Sequence, residues 1–240
     1  MITLHADVVG SLLRPPDLVT AQKRFAAGAI TAAQFKKIED RAVENAVALQ
    51  EKIGFEIVTD GEMRRQSFQS QMTAAVSGFG AFDLDAFLWG EWSDERGIRR
   101  KRRPRRLGAV AKLKRHRYLS ADEFLYLKSK TNCTPKITLP SPSLWANFWS
   151  LKYSGAIYPT LEAFLADITA ILREEVAELV RLGASYIQID APHYGLLLDP
   201  KTRAFYERLG WNFDRWLSLG VELDNAVIEG FSDVTFGFHI

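Results

Sequence analysis

The sequence predicts an α/β protein built on a parallel β-sheet. Short apolar runs, of the length of buried strands, alternate along the chain with longer amphipathic segments that have helical spacing. Strands separated by helices favour a parallel sheet with right-handed crossover connections. Polar residues follow four of the apolar runs. Because the carboxyl ends of parallel strands share one edge of a sheet, the sequence also predicts a functional site at that edge.

The composition is that of an ordinary globular protein. Of its 240 residues, 47% are hydrophobic and 25% are charged, and the formal net charge of +2 gives no reason to expect a bulk charged partner. No apolar run approaches the roughly 20 residues of a membrane span, and the N-terminus lacks the layout of a signal peptide. A single cysteine, Cys133, cannot form an internal disulfide. Together these features favour the cytoplasm and no membrane partner.

The first sixty residues predict two strands and two helices. Prolines begin the first helix and a glycine follows its end, and a capping-box pattern begins the second helix. The second strand ends in acidic residues, as Asp60-Gly61-Glu62. The predicted elements are a strand from Leu4 to Gly10 with Ser11 at its tip, a helix from about Pro15 to Ala27, a helix from Thr31 to Gly54, and a strand from Phe55 to Thr59.

The region from Met63 to Pro135 lacks a steady period and carries a dense basic run from Arg99 to Arg103. One interpretation is a nucleic-acid arm or a nuclear-targeting signal. The stronger one is a solvated excursion, because no base-reading motif is present and nearby acids offset part of the charge. Those acids are Asp94, Glu95, Asp122 and Glu123. We therefore expect no nucleic-acid partner, and a hairpin (Leu107 to Leu113, then Tyr118) that leads to a helix from about Ala121 to Lys128.

The second half of the chain again alternates strands and helices. In the sequence YIQIDAPHY a buried strand runs into Asp190, and the following Ala191-Pro192 ends it, because proline cannot donate to a β-ladder. The predicted strands are Lys136 to Leu139, Ser185 to Asp190 and Val234 to His239. The predicted helices are Leu161 to Leu182, one that begins at Asp199-Pro200, and one from Asn212 to Ile228.

Four polar side chains lie at the ends of predicted strands: Ser11, Glu62, Asp190 and His239. Each has an ordinary structural explanation, as a turn residue, a carboxylate at a helix start or a histidine that ends a strand. A functional site better explains why all four side chains would lie at one shared edge of the sheet. We expect Ser11, Glu62 and Asp190 to line one cleft there.

Five ordered motifs resemble the catalytic domain of cobalamin-independent methionine synthase, and most closely the short single-domain members of that family. The resemblance covers nearly the whole chain. The motifs are VGSLLRP (Val9 to Pro15), GFEIVTDGEMRR (Gly54 to Arg65), PKITLPSPS (Pro135 to Ser143), YIQIDAPHY (Tyr186 to Tyr194) and TFGFHI (Thr235 to Ile240).

The resemblance implies a (β/α)8 TIM barrel of the methionine synthase and uroporphyrinogen decarboxylase type, present here as one partial domain of about five βα units over residues 1–240. It implies a zinc-dependent methyltransferase, in which the thiolate of homocysteine attacks the methyl group of a methylated folate or similar donor. By motif position, Ser11 helps to hold the amino acid, Glu62 and Asp190 bind its ammonium group with Asp190 as the catalytic residue, and His239 is the first zinc ligand.

The chain departs from the family pattern in three places. Many members have an acidic residue at the position of Ala191, and some have a histidine near Val8, so the substrate or methyl donor can differ. A family cysteine that binds zinc follows the histidine of the HI pair, whereas this sequence stops at Ile240, and Cys133 matches none of the ligand positions. A related thiol alkyltransferase of the coenzyme M type and an inactive truncated fragment remain open, as do a homo-oligomer and a missing C-terminal segment. We expect little bound zinc in this chain alone.

Overall fold

The computed structural model describes residues 6–67, 70–81, 91–93, 96–101, 107–208 and 211–240. The strands in these ranges are β1 (Ile57–Val58), β2 (Val76–Gly80), β3 (Glu91–Ser93), β4 (Arg99–Lys101), β5 (Gly108–Arg115), β6 (Thr134–Pro140), β7 (Tyr186–Asp190) and β8 (Thr235–His239). The helices are α1 (Pro16–Ala26), α2 (Ala32–Lys52), α3 (Ser70–Ala75), α4 (Ala121–Lys128), α5 (Leu151–Ser154), α6 (Leu161–Arg181), α7 (His193–Leu196), α8 (Pro200–Arg208) and α9 (Phe213–Ile228), with a 3-10 helix at Pro142–Phe148.

Four of the strands form one parallel sheet in the order β1-β6-β7-β8. The predicted α/β class with a parallel sheet is therefore confirmed, and within the described residues the sheet is open rather than closed into a barrel. The register places Pro140, Asp190 and His239 side by side at the carboxyl edge. That edge is where the sequence predicts the site.

The main core lies between the sheet and the two long helices α6 and α9, which pack against each other. Apolar side chains on β6 and β7, including Ile137 and Ile187, meet the buried stripe of α6. A smaller core joins α1, α2 and α4 to β1. Burial of these apolar faces fixes the strand order, and with it the positions of the strand ends.

The predicted strand from Leu4 to Gly10 is wrong over its described part, since residues 6–10 form no ladder; residues 4 and 5 lie outside the described residues. Side chains from the sheet bind this segment instead. The ammonium of Lys136, whose side chain is fully buried, donates to Asp7 at 2.7 Å and to the carbonyl of Val8 at 2.6 Å. The amide of Gln188 donates to the carbonyl of Val9 at 2.6 Å. Backbone carbonyls that accept from side chains do not need a neighbouring strand.

One strand of the predicted hairpin is present, but its predicted pairing is wrong. A strand is present at β5, but it pairs with the upstream strand β2 rather than with residues near Tyr118. Glu175 of α6 accepts from the backbone N–H groups of Leu119 (2.7 Å) and Ser120 (2.8 Å). These N–H groups, which directly precede α4, are therefore not available to pair with β5. Part of the basic run forms β4, which pairs with β3, while Arg102, Arg103, Asp94 and Glu95 lie outside the described residues.

The longer predicted helices and strands are found within one or two residues of their expected bounds, and α4 coincides with its predicted range. The capping box at Thr31 is present, with the Thr31 side chain accepting from the Gln34 backbone. The sequence analysis missed α3, the strands β2, β3 and β4, the 3-10 helix, α5 and α7, most of which are too short to show a period. No helix in the described ranges is both long and apolar enough to cross a membrane.

Candidate active site

Glu62 stands in a tight turn directly after β1. Its backbone has a φ of 54° and that of Gly61 has a φ of 66°, both in the left-handed region. For a residue other than glycine this conformation costs free energy and needs support from its surroundings. The carboxylate of Asp60 supplies it by accepting from the Glu62 N–H at 2.8 Å, and Leu12 N–H donates to the Gly61 carbonyl at 3.0 Å. The turn thus fixes the direction of the Glu62 side chain.

The Glu62 carboxylate accepts hydrogen bonds from three side chains that come from three parts of the chain. They are the hydroxyl of Ser11, the hydroxyl of Thr138 at 2.8 Å, and the guanidinium of Arg65 at 3.3 Å. Gly10 makes room for this arrangement, since a Cβ there would stand 2.9 Å from Glu62 Oε1. Ser11 and Glu62, predicted as site residues, therefore lie together, with Ser11 on the exposed rim.

Arg65 is the cation of the site, and its side chain is only 2% exposed. Its Nη1 donates to Glu62 and to Thr138 at 2.9 Å, while its Nε donates to Glu123 at 3.0 Å. Burial alone would lower the pKa of Arg65, but the charges of Glu123, Glu62 and Asp60 raise it above its ordinary value. One guanidinium is thus shared among several buried carboxyl groups.

At the carboxyl groups burial is the larger effect, and it favours the neutral form. Burial raises the pKa of Glu123 to about 7, against the lowering effect of Arg65. Burial also raises the pKa of Asp60 above its ordinary value. Arg65 always has a carboxylate partner, whereas each carboxyl must compete for one cation, so Arg65 stays charged while Glu123 can lose its charge near neutral pH.

Asp190 and His239 form the second half of the site, at the adjacent ends of β7 and β8. His239 Nδ1 lies 3.3 Å from Asp190 Oδ1, and the amide of Gln188 donates to the same oxygen at 2.6 Å. Burial raises the pKa of Asp190, the Gln188 hydrogen bond opposes this, and the charge of Glu62 raises it further. The strand register relates the two carboxyl groups, because Thr138, which donates to Glu62, pairs with Gln188, which donates to Asp190.

The structure brings all four predicted residues to the same edge, as one pair of Ser11 with Glu62 and one pair of Asp190 with His239. The sequence analysis missed the residues that join them. Arg65 lies in one of the family motifs but was given no role. Thr138 and Gln188 are buried polar residues on β6 and β7 that were predicted only as parts of strands. Glu123 was counted only among the acids that offset the basic run, whereas the structure buries it against Arg65.

The residues that the structure describes do not make up a zinc site. No three His, Cys, Asp or Glu side chains in the described part of the chain lie close enough together to hold a metal ion. His239 and Asp190 supply two donors, and a zinc site needs at least three protein ligands. Cys133 precedes β6 and so lies at the opposite end of that strand from Pro140.

A second buried polar network adjoins the site beyond the ends of β6 and β7. Asp224 of α9 accepts from Ser141 at 2.7 Å and from the hydroxyl of Tyr194 at 2.8 Å. Ser143 Oγ donates to Tyr194 at 3.3 Å and lies 2.7 Å from His193 Nε2. Burial lowers the pKa of His193 to about 3, so the ring is neutral at pH 7.

These observations define an α/β protein with an acidic site at the carboxyl edge of a parallel sheet. The family model described as the catalytic domain of cobalamin-independent synthase matches residues 4–227. The chain belongs to the cobalamin-independent methionine synthase family, which confirms the resemblance seen in the sequence motifs.

Relatives and solved structures agree with this assignment. An uncharacterised Bacillus subtilis protein, YxjH, is 28% identical over 98% of this chain and 61% of its own length. The methionine synthase of Pyrococcus abyssi is 30% identical over 79% of this chain and 52% of its own length. The crystal structure of a vitamin-B12-independent methionine synthase homologue from Listeria monocytogenes superposes with a TM-score of 0.72 at 21% identity, over 99% of this chain and 65% of that one.

The chain thus spans about half to two-thirds of the length of the proteins that it matches. The fold is the one found in vitamin-B12-independent methionine synthase structures, and the open sheet is consistent with part of a TIM barrel.

The neutral state of His193 has a testable effect on stability. The folded protein holds its pKa near 3, whereas an unfolded chain has a histidine pKa of about 6.5. Below pH 6.5 the unfolded state binds a proton that the folded state does not, so His193 lowers the free energy of unfolding by about 1.4 kcal/mol per pH unit down to about pH 3. Urea unfolding across this range should show a shallower acid decline for His193→Gln than for wild type.

His116, which is exposed, provides the matched control, and His116→Gln should decline like wild type. Equal slopes for wild type and His193→Gln would contradict the assignment of a buried neutral imidazole.

Proposed function

We propose that this chain forms the amino-acid-binding part of a methyltransferase site, and that it takes L-homocysteine as the thiol that accepts the methyl group. The observation that carries the proposal is the pair of buried carboxyl side chains, Glu62 and Asp190, at one edge of the sheet. Family membership supports the class of reaction. Two buried carboxyl groups at one edge of a sheet suit a ligand that brings its own positive charge.

In the proposed complex the ammonium group of the amino acid lies between Glu62 and Asp190. An ammonium has three N–H donors, and carboxylate oxygens are its strongest hydrogen-bond acceptors. Thr138 and Arg65 already hold one oxygen of Glu62, so the carboxylate does not have to be ordered when the ligand arrives. Ser11, on the rim, donates to the other oxygen and helps to hold the substrate from that side.

The reaction is a methyl transfer from a methylated folate or similar donor. A lone pair of the homocysteine sulfur forms the new S–C bond while the bond between the methyl carbon and the donor breaks, and its electron pair stays on the donor atom. The sulfur must be a thiolate, because the thiol is a poor nucleophile. The part assigned to this chain is to bind and orient the amino acid, and no step is assigned to zinc, since its described residues do not form a zinc site.

The same site argues against a thiol of the coenzyme M type. Coenzyme M carries a sulfonate in place of an ammonium and a carboxylate, and an anion near Glu62, Asp190 and Asp60 meets a repulsive field. Arg65 does not offset this, because Glu62 and Glu123 already engage its guanidinium.

Isothermal titration with L-homocysteine under reducing conditions tests the proposal. Glu62→Gln and Asp190→Asn should each weaken binding about tenfold or more, because each removes a charge-assisted hydrogen bond worth about 1.5–3 kcal/mol. The analogue 4-mercaptobutanoate, which lacks the ammonium, should bind wild type much more weakly. Glu222→Gln, on the exposed face of α9, is the control and should bind as wild type does. Equal affinity for homocysteine and the analogue would refute the proposed ammonium site.

Zinc content provides a second test. Only His239 and Asp190 converge as donors in the described residues, so the 240-residue chain should retain well under one zinc per molecule after dialysis. Elemental analysis of wild type beside His239→Ala measures this. One tightly held zinc in wild type that is lost in His239→Ala would show that a complete metal site exists here.

A further inference from the structure

Arg65 divides its hydrogen bonds between two carboxyl groups that lie on opposite sides of its guanidinium. Nη1 donates to Glu62 at 3.3 Å, and Nε donates to Glu123 at 3.0 Å. Thr138 extends the first contact, since it accepts from Nη1 at 2.9 Å and donates to Glu62 at 2.8 Å. Both carboxyl groups and the guanidinium are nearly excluded from solvent, so a charge on any of them acts strongly on the other two.

Glu123 has no part in the binding steps proposed above. It stands in the first turn of α4, and the side-chain amide of Gln71, on α3, donates to its other oxygen. The charged groups that face it are Arg65, Asp60 and Glu62, all from the segment that follows β1. Burying a carboxyl group to this extent beside a shared cation costs free energy, which favours a functional reason for keeping it.

We propose that Glu123 is a positioning residue that couples proton binding to recognition of the substrate ammonium, by competing with Glu62 for Arg65. When Glu123 is ionised, the charges of Glu62, Glu123 and Arg65 sum to −1, and Glu62 is available to an incoming cation. When Glu123 is protonated, the same three groups sum to zero, and Arg65 compensates Glu62 alone. This inference rests on the proposed function, because it concerns how the ammonium site is regulated.

The coupling has a definite sign. An ionised Glu123 places one more negative charge near the bound ammonium, so affinity for the amino acid rises as pH increases through the range in which Glu123 loses its proton. Burial raises the pKa of Glu123 to about 7, which puts that range around neutral pH. By reciprocity, a bound amino acid favours the ionised form of Glu123 and lowers its pKa.

The test is isothermal titration with L-methionine, the stable product of the proposed methyl transfer, between about pH 6 and pH 8 for wild type and Glu123→Gln. Glutamine is neutral at every pH and mimics the protonated side chain. The ratio of wild-type to Glu123→Gln affinity should be near one at the acid end and reach about fivefold at the alkaline end. The other ionisable groups of the site are the same in both proteins, so their effects on affinity cancel in this ratio.

Glu39 supplies a matched control. It is a largely buried acid on α2 whose pKa burial also raises to about 7, and it lies 3.9 Å from Arg64, the neighbour of Arg65 in the sequence. Because Glu39 makes no contact with Arg65 or Glu62 in the described structure, Glu39→Gln should keep the wild-type pH profile. A ratio that stays constant for Glu123→Gln, or that changes equally for Glu39→Gln, would overturn the inference.

The outcomes separate this inference from the proposed function. Failure of wild type to bind L-methionine at any pH would remove the ammonium site and the coupling with it, whereas binding with the same pH profile in Glu123→Gln would remove the coupling alone. Should Glu123→Gln not fold, a ¹³C titration of the wild-type glutamate carboxyls decides the matter. The midpoint of Glu123 should fall when L-methionine is added, and an unchanged midpoint would overturn the coupling.

Discussion

The arrangement of the site depends on one buried cation, the guanidinium of Arg65. It lies among Glu62, Glu123 and Asp60, and without it three acidic side chains would share a space almost free of water. A buried carboxylate with no partner costs several kcal/mol. Arg65 reduces that cost for the group and holds Glu62 at the carboxyl edge of the sheet. The acidic character of the site is thus stable because a single positive charge is shared.

The parallel sheet positions this cluster of charged side chains at the proposed substrate site. The parallel register of β6, β7 and β8 sets Thr138 and Asp190 at the edge that the left-handed turn of Glu62 also faces. The segment that contains Ser11 arrives there without strand pairing, because Lys136 and Gln188 bind its backbone carbonyls. Side chains of the sheet therefore do two tasks, since some form the site and others anchor the segment that borders it.

Features that repeat along the sequence could be predicted, and features that join distant segments could not. Helical spacing predicted α6 almost to the residue, and the Ala191-Pro192 pair predicted where β7 ends. The contact between Arg65 and Glu123 joins residues 58 positions apart and leaves no periodic signal. The run before Ser11 resembled a strand because its residues are apolar, although Val9 is exposed, and nothing in the sequence indicated the side chains that satisfy its backbone.

The central claim is that Glu62 and Asp190 together receive an ammonium group. A crystal structure of this chain with L-methionine tests it most directly. The account predicts that the ligand nitrogen lies within about 2.7–3.2 Å of a carboxylate oxygen of each residue, with Glu62 still bonded to Thr138. A ligand nitrogen bound elsewhere, with Glu62 contacted only by Ser11, Thr138 and Arg65, would contradict it.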